Sequence, residues 1–354
     1  MSYKIDVNDI KARCQGRWGE IFNAMADAST MDAWQRKGRH CPCPLHGGKD
    51  GFRFFRDAET TGGAICSTCG SFPDGLSLLE ALRDQPFFEL LKEVSEFLGG
   101  STVQAAPARP LPSLEEILAK EAKTNRRSLS RIMKELNPLL GKGNARVAAY
   151  LASRELFPDL TRYPDLYFGV LPYYEETDNG YQKAGDFPCM AWLLRDEMGD
   201  VVSAHRTYLD PRGVGKLPDL DPRKLTGSIK PKMLGGAAIR IGVPQDGVLG
   251  IAEGVETALA VTQLFGETCW SALNSTLLEQ FKVPEGITTV HVYADLDRSG
   301  GGQAAGKALA RRLKAEGYDV DFRLPVGEIP PGQKSLDFAD LVHLNPPAKR
   351  ATMK

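Results

Sequence analysis

IAEGVETALA, residues 251–260, and YADLDRSGGGQAAGKALARRL, residues 293–313, each read as an apolar strand that ends on acid and turns into a helix. Working outward from them, the strands VLGIAEG, TCWSALN, TTVHVYADLD and YDVDFRLP alternate with helical patterns at about 255–265, 275–281 and 302–316. That rhythm is the one of a parallel sheet covered by helices. Glu253 closes the first strand, and Asp295 and Asp297 close the third, spaced by two so that alternation sends both to one face. Open parallel sheets bind ligands beyond the carboxyl ends of their strands, so the three acids are expected to converge there. Close carboxylates repel one another unless a cation neutralises them. A hard, oxygen-liganded ion such as Mg2+ or Mn2+ suits them, with nucleotide phosphates completing its shell. Gly301, Gly306 and Lys307 mimic a phosphate-binding P-loop, yet Ala308 stands where the Mg2+-binding hydroxyl belongs and the preceding strand carries the two aspartates. Gly300, Gly301 and Gly302 are expected to let backbone approach the acidic site, with the following helix start offering amides to a phosphate.

A second motif lies near the N-terminus, in HCPCPLHGGKDGFRFFRDAETTGGAICSTCG from His40. Cys43 and His46 make one x2 knuckle and Cys66 and Cys69 another, across a span that reads as a β-hairpin. Two such knuckles supply the four soft ligands of a closed tetrahedral Zn2+ site, which is structural because no position is left open for chemistry. His40 and Cys41 are competing ligands, and Cys43 is preferred because its spacing to His46 mirrors the second knuckle. The metal is expected to hold together a unit too small for a core of its own. Lys49, Arg53, Phe54, Phe55 and Arg56 on the hairpin offer charge to phosphates and rings to bases, unless the rings fill the ribbon's interior. Cys14, Cys189 and Cys269 read as isolated buried thiols. The crowding of the other four cysteines favours metal over disulfides and a reducing compartment.

Between these motifs, residues 1–36 read as helical, GLSLLEALRDQPFFELLKEVSEFLG as a helix ending near 99, and GGSTVQAAPARPLPS as a linker. Helices follow at about 113–136 and 143–156, then aromatic-rich strands with DEMGD, residues 196–200, as a hairpin turn. The expected architecture is multidomain α/β: a zinc-ribbon β domain with flanking helices at 1–99, a linker at 100–112, an α+β segment at 113–246, a Rossmann-like parallel sheet at 247–345 and a tail at 346–354. At 354 residues, 42% hydrophobic and 25% charged, the chain is long enough for such domains and ordinary in composition. It has no apolar run fit to span a membrane and no secretory signal, so a cytoplasmic location is expected. The formal net charge of -1 gives no global pull on nucleic acid, so any pull is local. Residues 120–134 carry Lys120, Lys123, Arg126, Arg127, Arg131 and Lys134 against Glu121, and the stretch from Arg206 to Arg240 is also basic. Either can equally be a solvated face.

The two quoted stretches together resemble a Toprim domain, the module shared by bacterial-type primases, topoisomerases and certain nucleases. KSLDFADL from Lys334 is similar to the acidic tail of mobile-element primases, and FPCMAWLLRDEMGDVVSAHRTYLD with KPKMLGGAAIRIG resembles the segment that precedes Toprim in them. With the ribbon, the resemblance is to DNA primases of phages, plasmids and integrative elements. It implies that Glu253 acts as metal ligand or general acid/base, and that Asp295 and Asp297 are metal ligands with Asp337 and Asp340 at the rim. It also implies an RNA-polymerase basin in which Arg206, Lys216, Lys230 and Lys232 grip template phosphates or the incoming triphosphate. His205 reads equally as structural or functional. The implied partners are single-stranded DNA and ribonucleoside triphosphates. No Walker motif follows, so any replicative helicase is expected to be a separate protein. A Toprim nuclease or nicking enzyme, and a non-catalytic single-stranded-DNA adaptor, are the alternative readings.

Overall fold

The computed structural model describes residues 7–99, 114–177, 180–232 and 234–342, and the chain divides into two compact units, Met1–Ile117 and Leu118–Lys354. The expected linker at 100–112 and tail at 346–354 lie outside the described residues, as do residues 1–6 of the helical start.

In the first unit the helical stretch is three short helices: α1 (Val7–Cys14), α2 (Trp18–Met25) and α3 (Ala28–Gln35). Gly16, at φ 76°, turns the chain after α1, and the Asp27 carboxylate caps α3 by accepting the Thr30 N–H at 2.9 Å. Four strands follow in the antiparallel order β1 (Cys41–Cys43), β2 (Gly47–Phe54), β3 (Ala64–Cys66) and β4 (Gly70–Phe72), with the one-turn helix α4 (Ala58–Thr61) between β2 and β3. The segment 75–99, expected as one helix, is two: α5 (Gly75–Arg83) and α6 (Phe87–Phe97). Asp84 sits in the left-handed region at φ 46°, and Pro86, which has no N–H to continue a helical ladder, starts the next helix. Trp18, Phe22, Trp34, Phe52 and Phe54 pack with neighbouring ring centroids 5.0–5.6 Å apart. The ribbon therefore does have a core, shared with the helices before and after it.

The second unit is built on a mixed sheet. Helix α7 (Leu114–Lys134) leads into β5 (Leu136–Pro138); α8 (Ala145–Ala152), β6 (Leu166–Thr177), β7 (Gly180–Arg195), β8 (Val201–Tyr208) and β9 (Arg223–Leu225) follow. The short β10 (Ala238–Ile239) comes before β11 (Val248–Ala252), α9 (Val255–Phe265), β12 (Cys269–Ser271), α10 (Ser275–Glu279) and β13 (Thr289–Tyr293). The two-residue β14 (Leu296–Asp297), α11 (Gly301–Ala315), β15 (Asp319–Arg323) and β16 (Ser335–Leu336) complete it. Strands β15, β13, β11 and β12 lie side by side and parallel, as the alternation of strand and helix implies. These four strands do not form a sheet apart from the preceding meander. β7 outruns β6, whose pairing stops at Trp192, and its last residues catch β10, which in turn pairs with β12. The run Cys189–Leu194 is apolar and buried because both faces of β7 are covered. On one face Trp192 and Leu194 meet Tyr150 and Leu151 of α8; on the other Leu193 and Ala204 meet Leu129 of α7. In the parallel part, α9 covers the first face, while α10 and α11 cover Leu249, Ile251, Val290 and Val292 on the second. Burial of each such side chain stabilises the fold by roughly 1.5–3 kcal/mol.

Candidate metal centres and nucleic-acid interface

The first candidate centre is made by the β1–β2 and β3–β4 turns. Cys43, His46, Cys66 and Cys69 bring their ligand atoms within 4.8 Å of one another. Cys43 Sγ lies 3.8 Å from Cys69 Sγ, and His46 Nε2 lies 3.2 Å from Cys66 Sγ; the edge of a tetrahedron with Zn–S bonds of about 2.3 Å is about 3.8 Å. The donor set and its spacing fit a structural Zn2+. Burial alone would raise the Cys66 thiol, but hydrogen bonds from the Cys69 N–H, His46 and the Thr68 N–H bring it down to about 7, toward the thiolate that a metal needs. The competing ligands are occupied elsewhere: Cys41 is buried with its thiol toward the Phe52 carbonyl at 3.5 Å, and His40 Nδ1 faces the Asp50 carbonyl at 3.0 Å. On the hairpin, Lys49 and Arg56 are exposed and Arg53 half-buried. Phe54 and Phe55 are buried and so offer no rings to bases, which corrects that expectation. They fill the interior instead, alternation along β2 having turned Phe52 and Phe54 inward together.

The second candidate centre lies beyond the carboxyl ends of the parallel strands. Glu253 follows β11 directly. Its backbone carbonyl accepts the Ser271 hydroxyl at 2.9 Å, and its carboxylate accepts the Ser275 N–H at the start of α10. Asp295 and Asp297 do not share one strand, contrary to the expectation from alternation. β13 ends at Tyr293, leaving Asp295 in the turn and Asp297 on β14. There Asp297 pairs with Ser335 and Leu296 with Leu336, which brings Asp337 and Asp340 to the same end of the sheet. Asp337 and Asp340 clasp each other through main-chain N–H groups, at 2.9 and 3.1 Å. Asp297 accepts the Gly302 N–H at 2.7 Å. A Cβ at Gly302 would come within 2.8 Å of Asp297 Oδ2 and 3.0 Å of the Asp295 carbonyl, so only glycine lets α11 start this close.

The electrostatics join these acids into one cluster. Burial, then Glu253, Asp337, Asp297 and Asp340, push Asp295 up to about 8. Burial and the Asp297 charge push Glu253 up to about 7, against the pull of Arg223. Asp337 is raised by burial and by Asp340. Asp295 Oδ1 is buried without a hydrogen-bond partner. Mutual repulsion and an orphaned carboxylate oxygen are what a divalent cation relieves, so the residues present fit such an ion. The carboxylates stand looser than the Cys/His set, which is the one group of its kind within 4.8 Å among the described residues.

Matches to known protein families cover both candidate centres. The zinc-binding domain of primase-helicase matches residues 38–76, and the Toprim domain matches residues 248–345. The chain carries a primase-type zinc ribbon and a Toprim domain. A domain of unknown function (DUF7146) matches residues 123–238, between the two. Among solved structures, the chain is similar to the zinc-binding and RNA-polymerase domains of the Aquifex aeolicus primase, with 13% identity over 96% of this chain and 83% of that one and a TM-score of 0.38. It is also similar to the primase fragment of the bacteriophage T7 primase-helicase protein, with 15% identity over 87% and 94% and a TM-score of 0.32. A DnaG primase catalytic domain bound to single-stranded DNA matches with 15% identity over 65% and 76% and a TM-score of 0.41. No helix among the described residues is long and apolar enough to cross a membrane.

Several cations expected to grip phosphates are engaged inside the fold. Lys230 and Lys232 bind Asp196 at 2.9 and 3.0 Å, and Lys216 binds Glu256 at 2.7 Å. Arg206 reaches the Tyr208 hydroxyl at 3.2 Å. Glu256, three residues after Glu253, is half-buried; its desolvation would raise it, but Lys216 and the Tyr150 hydroxyl hold it at about 2. His205 is pushed down to about 4 by burial, beside Glu256, Arg223, Lys216 and Arg206, and stays neutral at physiological pH. The cations that act on the Toprim acids are instead Arg223 on Glu253 and Arg154 on Asp337. Arg223 falls within the basic stretch from Arg206 to Arg240 but is not marked out from its neighbours there, and Arg154 stands in no pattern that sequence alone singles out. Glu256 lies in plain view within EGVET, but its lysine and tyrosine come from distant segments.

Proposed function

We propose that this protein is a DNA primase that synthesises short RNA primers on single-stranded DNA for replication of a phage, plasmid or integrative element. The observation that carries the reading is the set of mutually repelling acids, Glu253, Asp295, Asp297 and Asp337, at the carboxyl ends of the Toprim strands, with Asp295 Oδ1 unpartnered. In this reading Glu253, Asp295 and Asp297 hold a catalytic Mg2+ or Mn2+, with Asp337 and Asp340 at the rim. The bound ion supplies electrostatic stabilisation of the charge on the transferring phosphoryl group. The protein's own work is positioning. Ser271 and the Ser275 N–H fix Glu253, the Gly302 N–H fixes Asp297, and the Asp337–Asp340 clasp fixes the rim. Arg223 and Arg154 face the acids and are placed to meet the phosphates of a ribonucleoside triphosphate. Residues 1–99 act as the zinc-ribbon domain, with Lys49 and Arg53 toward the template; residues 113–246 act as the leading part of the polymerase domain, and residues 247–345 as its catalytic part. Arg206 and Lys216 line that middle segment, and Lys230 and Lys232 brace it through Asp196. A replicative helicase opens the duplex.

The test is incubation of the zinc-loaded protein with single-stranded templates, labelled ribonucleotides and Mg2+. Labelled oligoribonucleotides are expected from wild type, and at least a 100-fold loss from Asp295→Asn or Glu253→Gln, since a lost charge-stabilising group costs roughly that much or more. Undiminished product from either variant contradicts the reading. Cleavage of DNA without incorporation points to a nuclease, and binding without either activity to an adaptor.

A further inference from the structure

Helix α7 carries a stripe of cations that the catalytic cluster does not use. With 3.6 residues per turn, Lys120, Lys123, Arg127, Arg131 and Lys134 fall within an arc of about 80° and span about 21 Å of helix. All five are exposed. Among the described residues Lys123, Arg127, Arg131 and Lys134 form no ion pair. Glu116 bounds the stripe at its N-terminal end, and Glu121 and Glu135 fall to one side of it. The opposite side of the helix is committed to the fold: Ala122 and Leu129 are buried, and Ile132 and Met133 pack against the core. The flank is pinned by Asn125 Nδ2, which donates to the Ser228 carbonyl at 2.9 Å, and by Arg126 Nε, which donates to the Ile229 carbonyl at 2.7 Å. The stripe is thus held rigid and faces solvent.

We propose that this stripe is a binding track for the sugar-phosphate backbone of a nucleic acid, distinct from the carboxylate centre. A row of point charges without aromatic rings or amide side chains beside them suits phosphates and not base edges, so the contact is independent of sequence. One strand of a duplex carries a charge about every 3.4 Å, so a 21 Å track meets roughly six phosphates. A membrane surface fits less well, because a helix that lies on lipid needs a free apolar face and that of α7 is buried. The inference rests on the primase reading only for the choice of polyanion.

The experiment uses the full, zinc-loaded chain and measures binding of fluorescein-labelled oligo(dT), an RNA of equal length and phosphatidylserine vesicles as a function of salt. Each phosphate of a single strand that the protein ceases to neutralise takes about 0.7 from the slope of log affinity against log salt. The combined variant Lys123→Ala, Arg127→Ala, Arg131→Ala is therefore expected to flatten the slope by about 2 and to weaken binding roughly 10- to 100-fold at 0.1 M salt. Arg127→Lys with Arg131→Lys keeps the charges and is expected to keep the slope, which separates a charge effect from damage to the helix; Ser128→Ala is the neutral control. Weaker binding of oligo(dT) alone names DNA, and weaker binding of both oligonucleotides names the shared backbone. An unchanged slope in the triple variant overturns the proposal, as does vesicle binding that the triple variant loses while oligonucleotide binding persists. The two readings fail separately: a wild type that makes no primers but shows the slope change sinks the primase reading alone, and one that primes with an unchanged slope sinks this one alone.

Discussion

Asp196 shows how a single side chain decides which cations are free. It sits in the β7–β8 turn, and burial alone would raise it, yet Lys230, Lys232 and the Asp200 N–H bring its carboxyl down to about 2. A carboxyl lowered in the folded state contributes stability above its unfolded pKa near 4, and that contribution is lost as pH falls toward 2. Its two lysines are about a third or more exposed, so solvent screening reduces the contribution to about 1–2 kcal/mol. Asp196→Asn is expected to lower stability by that amount in urea titrations at pH 7, with the gap from wild type closing between pH 4 and pH 2. A gap that stays constant to pH 2 counts against this account of the turn. The partners are 34 and 36 residues apart, so the composition of the basic stretch did not reveal that two of its lysines are taken.

Among the elements, those bounded by local signals were legible in the sequence and those bounded by distant contacts were not. Helix α9 runs from Val255 to Phe265 as read, because an acidic strand end precedes it and Gly266 closes it in the left-handed region at φ 71°. The knuckle ligands were legible for the same reason, since a turn of fixed spacing is a local object. The break between α5 and α6 was missed although Pro86 marks it, because the apolar period runs on across the gap. The end of β13 at Tyr293 was missed because Ala294, Asp295, Leu296 and Asp297 continue the alternation while the chain turns away to pair with β16. The zinc ribbon carries its own prediction. Its aromatic core extends into α2 and α3, so metal loss is expected to loosen the knuckles before it unfolds the unit. Cys66→Ser should abolish zinc by elemental analysis, from one ion per chain, and lower the melting temperature of this unit by several degrees, since about 1 kcal/mol shifts a domain of this size by roughly 4–8 °C. A variant that keeps its zinc, or a zinc-free protein that melts as wild type does, contradicts the assignment of ligands.

At the scale of the whole molecule, the main sheet of the second unit joins a helix-covered parallel half to an antiparallel meander at two-residue β10. That junction was illegible from sequence because AAIRIG reads as any short strand, and its partners on β7 and β12 are tens of residues away. The consequence is functional: β8 and β9 carry Arg223 toward the acids that β11, β13 and β16 present, so the middle segment supplies the cations and the Toprim domain the carboxylates of one electrostatic cluster. The most direct measurement is an anomalous difference map from crystals soaked with Mn2+ and a non-hydrolysable ribonucleoside triphosphate. The expected result is a Mn2+ peak within coordinating distance of Glu253, Asp295 and Asp297, with the phosphates toward Arg223. A map in which no peak falls among those three carboxylates, with Mn2+ bound elsewhere or nowhere, contradicts the central claim.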